Sequence, residues 1–171
     1  MEDVVDRHDM DHLFRAHRDA EAQRDYDAVI ETFTDDCYLD TIGLGLRSEG
    51  RAAARAAYEG YFTAFPDLSP DDQGTAFGDD VMVAWGLLRG TSGGLWLGVE
   101  PSGGSFAVPF TNVAVFREGR MAGESIYFDL ATLCAQAGLP LDAIRAAAQA
   151  KRVAGASLAP MAGVVDGRAH A

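Results

Sequence analysis

Two carboxylates follow apolar, strand-like segments where a proton-transfer group could operate. Asp129 comes directly after residues 125–128, and Asp40 directly after residues 37–39. A carboxylate enclosed by apolar groups has its charged form destabilised, which raises its pKa toward the range useful at neutral pH. We therefore take Asp129 and Asp40 as candidate catalytic acids or bases.

Each of these carboxylates also has a structural explanation. Asp is a favoured N-cap residue, so Asp129 could cap a helix over residues 130–137, and capping does not exclude catalysis. An Asp within an apolar strand is costly unless it is paired, so Asp40 could form an ion pair with Arg47 or Arg51. The sequence leaves both alternatives open.

The neighbours of Asp129 suggest how a substrate would be held. The period of two in a strand places Ser125 and Tyr127 on the same face as Asp129. The opposite face carries Glu124, Ile126 and Phe128. We expect Ser125 and Tyr127 to bind substrate beside Asp129, with either the Tyr127 phenol or the Asn112 amide orienting a carbonyl.

Three further residues could line the same pocket. The Asn112 amide could donate a hydrogen bond to a developing oxyanion, or it could tie down a loop. Tyr58 could supply a phenol, although aromatic residues at its helical spacing are typical of a core. Trp85 is a candidate pocket wall, with plain packing as the alternative.

The histidines of the first helix do not predict a metal site. His8 and His12 are four residues apart, but no third ligand has a defined spacing, and a solvated charged face explains them and His17. The chain also lacks a complete glycine-rich phosphate loop and a Gly-x-Ser-x-Gly elbow. We predict neither a metal nor a cofactor.

The charge balance disfavours two classes of partner. The 171 residues include 26 acidic and 14 basic ones, a formal net charge of −12, whereas nucleic acids and anionic membranes bind through Lys and Arg. The first residues are acidic where a signal peptide needs a basic start, and no apolar stretch is long enough to span a bilayer. We expect a cytoplasmic protein.

The apolar periodicity predicts helices followed by strands. Helical spacing covers residues 8–33 with a break near Asp25, then 51–65 and 141–153. Strand-like runs cover residues 37–42, 81–89, 95–99, 105–117 and 121–130. This order is typical of the α+β class, in which helices pack on one side of a mixed or antiparallel sheet and enclose a cavity.

The domain organisation follows from these elements. We expect one domain over residues 1–140, a C-terminal helix over 141–154 and a mobile tail over 155–171. Four motifs succeed one another within that domain. They are Ala64-Phe65-Pro66-Asp67-Leu68, residues 98–104, residues 116–121, and Tyr127-Phe128-Asp129 with Gln136-Ala137-Gly138.

The order and spacing of these motifs, from about Tyr26 to Leu139, resemble the SnoaL-like polyketide cyclase family. That family belongs to the nuclear-transport-factor-like or ketosteroid-isomerase-like superfamily. The resemblance implies a cone of curved sheet closed by helices, and a homodimer or higher homo-oligomer.

The resemblance also implies roles for individual residues. Asp129 has the position that the cyclases use as acid and base in an intramolecular aldol closure. Asp40 lies in a register similar to the catalytic base of ketosteroid isomerases, and Asn112 lies where those enzymes place a protonated acid. Ala16 stands where the isomerases have a tyrosine and Ser92 where many SnoaL-like proteins have a histidine, which disfavours steroid isomerisation.

Together these features predict a cofactor-free lyase or isomerase of the cyclase type that acts on a small hydrophobic, polyketide-like substrate. The same pocket could serve an epoxide hydrolase or a dehydratase, in which Asp40 and Asp129 would flank a bound water or leaving group. A non-catalytic module that binds a hydrophobic ligand is another alternative. A third is a purely structural protein, in which side chains fill the interior and the sheet face forms a dimer interface. Ionisable groups that converge on a cavity would favour an enzyme.

Overall fold

The structure is a computed structural model, and it describes residues 5–154. The helices are α1 (Arg7–Gln23), α2 (Tyr26–Glu31), α3 (Gly50–Ala64), α4 (Leu130–Ala137) and α5 (Leu141–Val153). The strands are β1 (Phe33–Thr41), β2 (Leu46–Glu49), β3 (Ser69–Phe77), β4 (Val81–Thr91), β5 (Ser105–Arg117) and β6 (Arg120–Phe128). The α+β class predicted from the sequence is confirmed.

The six strands form one curved sheet in the order β2-β1-β6-β5-β4-β3. Neighbouring strands are antiparallel except β1 and β6, which are parallel. Strands β2 and β3 lie at opposite edges, so the sheet stays open rather than closing into a barrel. Because α3 packs on β1 and α4 packs on β5, the sheet has an inner face toward the helices and an outer face.

Strand pairing assigns the site residues to these two faces. Thr41 pairs with Ile126 on the inner face, beneath the helices. Tyr127 and Trp85 both pair with Thr111, and this row lies on the outer face, where the Trp85 side chain is 43% exposed. A one-residue step along a strand therefore separates the interior from the outer surface.

The interior contains two apolar clusters with polar residues between them. The first cluster packs α1, α2 and α3 against the sheet, with Phe33 and Met121 fully buried. The second packs α4 and α5 against the sheet around Val108 and Ile144. Burial of each such side chain stabilises the fold by about 1.5–3 kcal/mol, so the polar residues enclosed between the clusters need partners.

The structure differs from the predicted elements at two strands and one loop. Strands β2 and β3 were not predicted, and β3 begins with the polar residues 69–73 because it is an edge strand whose side chains mostly face solvent. Residues 95–99, predicted as a strand, form a turn with a single bridge between Trp96 and Val99.

The predicted tail over residues 155–171 lies outside the described residues. Over residues 5–154, none of the helices combines the length and the apolar character needed to cross a membrane.

Candidate functional site

A small apolar chamber lies between the helices and the inner face of the sheet. Its volume is about 60 Å³. Its walls come from helices α3 and α4, from strands β1, β4, β5 and β6, and from the segments that follow α3 and β4. They are Thr41, Tyr61, Phe65, Leu68, Leu88, Trp96, Phe106, Ile126, Phe128 and Leu133. Most of these residues belong to the second apolar cluster, so the chamber lies within that cluster.

A groove of about 300 Å³ lies beside the chamber along α3 and β2. It is lined by Thr41, Leu46, Arg47, Ser48, Ala53, Ala56, Ala57, Gly60, Tyr61, Leu95, Trp96, Leu97 and Lys151. Thr41, Tyr61 and Trp96 line both the groove and the chamber. These three side chains form the junction between the two spaces, and we call them the junction residues.

Each junction residue carries a polar group. The Thr41 and Tyr61 hydroxyls are hydrogen-bonded to each other, and the buried indole Nε1 of Trp96 has no hydrogen-bond partner among residues 5–154. Burial outweighs the Thr41 hydrogen bond and raises the pKa of the Tyr61 phenol to about 12. Tyr61 is therefore a neutral donor at physiological pH.

A buried polar network lies next to this chamber, and Glu124 on β6 is at its centre. The Tyr58 hydroxyl donates to Glu124 Oε2 at 2.6 Å, and the Asn112 amide donates to Glu124 Oε1. His17 Nε2 lies 3.6 Å from Glu124 Oε2 and 3.3 Å from a Glu21 carboxylate oxygen. We call these five residues and Arg18 the buried network.

The positions of these groups on β6 bring the network close to the chamber. Glu124 and Ile126 lie on the same face of β6, two residues or about 7 Å apart along the strand. Asn112 on β5 pairs directly with Ile126, which is a chamber wall. The Asn112 side chain is fully buried, and its Oδ1 has no partner within the described part of the chain.

The charges in the buried network balance. Burial disfavours the His17 imidazolium, but the charge of Glu21 and hydrogen bonding with Glu124 outweigh it and raise the His17 pKa to about 9. Burial likewise disfavours the Glu21 carboxylate, but Arg18 and His17 lower its pKa to about 2. Burial and the charge of Glu21 disfavour the Glu124 carboxylate, but its hydrogen bond and ion pair with His17 and the charge of Arg18 outweigh them and lower the Glu124 pKa. At neutral pH the network thus holds two cations and two carboxylates.

The same side chains fit a metal ion poorly. Ligand atoms of His17, Glu21 and Glu124 lie within 4.8 Å of one another. However, Arg18 Nη1 already bonds Glu21 Oε2 at 2.9 Å, and the imidazole that a metal would need is protonated. A divalent ion would have to displace that proton and lie beside a buried guanidinium. The donors are therefore better satisfied by each other than by a metal.

Asp129 lies in a different setting from the one predicted. Its carboxylate is exposed and caps α4, accepting hydrogen bonds from the Ala131 and Thr132 amides and from the Thr132 hydroxyl at 2.7 Å. These bonds, led by the Thr132 hydroxyl, lower the Asp129 pKa. The expected apolar surroundings and raised pKa are wrong, because strand β6 ends at Phe128 and its alternation does not extend to Asp129.

Asp40 forms the predicted ion pair, with Arg47. Two hydrogen bonds of 2.7 Å join the guanidinium to both carboxylate oxygens, and the Ser125 hydroxyl donates to Asp40 Oδ2 at 3.0 Å. Asp40 and Ser125 also pair across β1 and β6 on the sheet's outer side. The structure thus brings these two candidates together, but away from Asp129 and from the chamber.

The other candidates divide between the two faces. Tyr127 and Asp129 line a shallow hollow of about 400 Å³ on the surface. Trp85 lies on the outer face, so its prediction as a pocket wall is wrong, and Trp96 takes that place. Asn112 and Tyr58 meet in the buried network through Glu124.

The residues that sequence reasoning missed belong to α1 and β6. His17 is fully buried, so its assignment to a solvated face is wrong. The buried stripe of α1 contains Met10, Phe14 and His17 at helical spacing, which the sequence does show. For Glu124, the signal is a single charge that shares a strand face with Ile126 and Phe128.

The family described as SnoaL-like polyketide cyclase matches residues 11–137, which is most of the chain. The chain belongs to the SnoaL-like polyketide cyclase family. No curated protein matches it in sequence.

Solved structures show that this family member also has the family's fold. A protein from Jannaschia sp. CCS1 described as a SnoaL-like polyketide cyclase is 24% identical, with a TM-score of 0.70 over 80% of this chain and 96% of that one. A protein from Xanthomonas campestris pv. campestris described as a polyketide cyclase is 21% identical, with a TM-score of 0.69 over 77% and 98%. A protein from Catenulispora acidiphila DSM 44928 with a ketosteroid isomerase-like fold, in complex with trimethylamine, is 18% identical, with a TM-score of 0.66 over 76% and 95%.

Proposed function

We propose that the chain is a cofactor-free enzyme of the cyclase type, which binds a carbonyl compound where the groove meets the chamber. The observation that carries this proposal is the convergence of the three junction residues at that point. Apolar walls with a few placed polar groups are the usual composition of a small-molecule site. The chamber is small, so a substrate that enters it must extend past Thr41, Tyr61 and Trp96 into the groove.

Tyr61 is the proposed hydrogen-bond donor to the substrate's carbonyl oxygen. Its pKa of about 12 keeps the phenol protonated, so it donates to an oxygen rather than removing a proton. An oxygen that gains charge as an enolate forms accepts such a bond more strongly than a neutral carbonyl does, which lowers the barrier. Thr41 holds the phenol in position before the substrate arrives.

Glu124 is the proposed proton acceptor. It is ionised, buried and about 7 Å along β6 from a chamber wall. A carboxylate with a lowered pKa is a weak base, so it removes only a weakly held proton, such as one on a carbon between two carbonyl groups. This restricts the substrate to β-dicarbonyl or polyketide-like compounds.

The ring closure then needs no cofactor. Glu124 takes the proton from the activated carbon, and the resulting enolate forms a carbon–carbon bond with a second carbonyl of the same molecule. The electron pair of that carbonyl becomes an alkoxide, and protonated Glu124 returns the proton to it. One carboxylate thus serves both proton transfers, the role that the sequence analysis gave to Asp129.

Exchange of an activated proton tests this proposal without knowledge of the natural substrate. Benzoylacetone in deuterium oxide reports by proton NMR how fast its central carbon exchanges hydrogen above the buffer rate. We expect Tyr61→Phe and Glu124→Gln each to reduce the catalysed rate by about 100-fold. Circular dichroism and urea unfolding check that each variant is folded.

Tyr127→Phe is the matched control, because it removes the same hydroxyl from the outer face. It should leave the rate unchanged. A wild-type rate no higher than buffer would favour the non-catalytic binding module. Full activity in Tyr61→Phe together with lost activity in Asp129→Asn would return the chemistry to Asp129.

A further inference from the structure

The outer part of the groove has an unusual charge for this protein. Its polar side chains are Arg47, Ser48 and Lys151, and the other lining residues outside the junction are aliphatic or Gly60. No carboxylate is part of that lining, although the chain carries a formal charge of −12. The charged side chains that line the groove are therefore both cations, on an acidic molecule.

The two cations of the groove differ in how their charge is compensated. Asp40 neutralises Arg47 through two hydrogen bonds of 2.7 Å. Lys151, in the last turn of α5, has no ion pair with any carboxylate in residues 5–154. It is also the sole lysine of the chain. Within residues 5–154, the groove lining thus carries one positive charge that no carboxylate compensates.

We infer that the ligand of this site is an anionic amphiphile, with an apolar ring system toward the chamber and a carboxylate or similar anion beside Lys151. The inference rests on the proposed function, because it places the apolar part of the ligand past the junction residues. An exposed ammonium attracts such an anion modestly, and the attraction weakens as salt screens it. Lys151 therefore selects among ligands that the apolar walls already accept.

Two fluorescent probes isolate the contribution of the charge. Anilinonaphthalenesulfonate and phenylnaphthylamine share one ring system, and only the former carries an anion. We expect Lys151→Gln to weaken binding of the sulfonate by about two- to fivefold and to leave the neutral probe unchanged. Arg145→Gln is the matched control, because Arg145 is on the same helix but lines a different hollow. It should change neither affinity.

Selective labelling adds a direct contact measurement. Reductive methylation with isotope-labelled formaldehyde keeps the charge and labels only Lys151 and the chain's amino terminus. The sulfonate should shift the Lys151 signal, and the neutral probe should shift it much less.

The outcomes separate this inference from the proposed function. If the neutral probe binds but Lys151→Gln leaves the sulfonate affinity unchanged, the inference is overturned and the proposed function stands. Equal losses of affinity for both probes also overturn it, because they would show that the substitution alters the shape of the groove rather than its charge. If the wild type binds neither probe, the apolar site itself is refuted and both proposals fail.

Discussion

The Asp129 carboxylate accepts three hydrogen bonds from the first turn of α4, and its exposed position gives it water on the remaining side. An N-cap of this kind stabilises a helix because it satisfies amides that have no partner within the helix. The sequence contained this alternative, since Asp129 precedes a helix-forming segment. What it did not show is that the strand stops one residue earlier, which turns the side chain away from the chamber.

Substitution of Asp129 tests its role as the N-cap of α4. We expect Asp129→Ala to lower the free energy of unfolding by about 1 kcal/mol, and Asp129→Asn to retain much of the cap because its oxygen still accepts. Urea unfolding followed by circular dichroism gives both values. Proton exchange of benzoylacetone should change little in Asp129→Asn. If a stably folded Asp129→Asn variant loses that activity, Asp129 does more than cap α4.

For α1 and β6, the spacing of residues along the element predicted which side chains share a face, but not which face holds the functional residues. The period of two correctly separated Ser125 and Tyr127 from Glu124 and Ile126, but the catalytic face was chosen by where Asp129 was expected to point. On α1, the apolar Ala16 is exposed while the ionisable His17 is buried. Glu124 and His17 stabilise one another across elements that are far apart in sequence, so their pairing becomes visible only in the folded chain.

The buried network predicts a specific pH dependence of stability. His17 has a folded pKa of about 9 against an ordinary value of 6.5, so its stabilising contribution is complete below pH 6.5 and is lost as pH rises through 9. Glu21 has a folded pKa of about 2 against 4.5, so its contribution is present above pH 4.5 and is lost as pH falls through 2. The network therefore stabilises the fold most between pH 4.5 and 6.5.

Unfolding free energies measured across this range test the assignment of charge to His17. From about pH 6.5 to 9 the stability should fall by up to about 1.4 kcal/mol per pH unit, because the folded state binds one proton more than the unfolded state. His17→Gln should be less stable at pH 6.5 and should lose this slope. An equal slope in wild type and variant would show that His17 is neutral in the fold.

The outer face of the sheet presents an apolar surface. Strands β4 and β5 present Val83, Trp85, Leu87, Val113 and Val115 there, with Trp85 largely exposed. Four strands of about nine residues cover roughly 600 Å² in projection, close to what one partner contributes to a standard interface. We propose that a second copy of the chain covers this face, as the sequence resemblance implied.

Molar mass in solution tests this pairing. Light scattering after size exclusion should give twice the 18.2 kDa of the chain. Trp85→Arg should shift the mass toward one chain, because it places a charge in the centre of an apolar interface, while Trp85→Phe should keep the larger mass. A wild type that elutes as a single chain at micromolar concentration would refute the proposed interface.

The proposed function requires the ligand to bind where the groove meets the chamber. The chain has two tryptophans, Trp96 at the junction of groove and chamber and Trp85 on the outer face. Fluorotryptophan labelling with fluorine NMR gives one signal for each, assigned with the Trp85→Phe variant. Titration with phenylnaphthylamine should shift the Trp96 signal and leave the Trp85 signal in place. A shift confined to Trp85, or no shift while the probe binds, would place the ligand elsewhere and contradict an interior site.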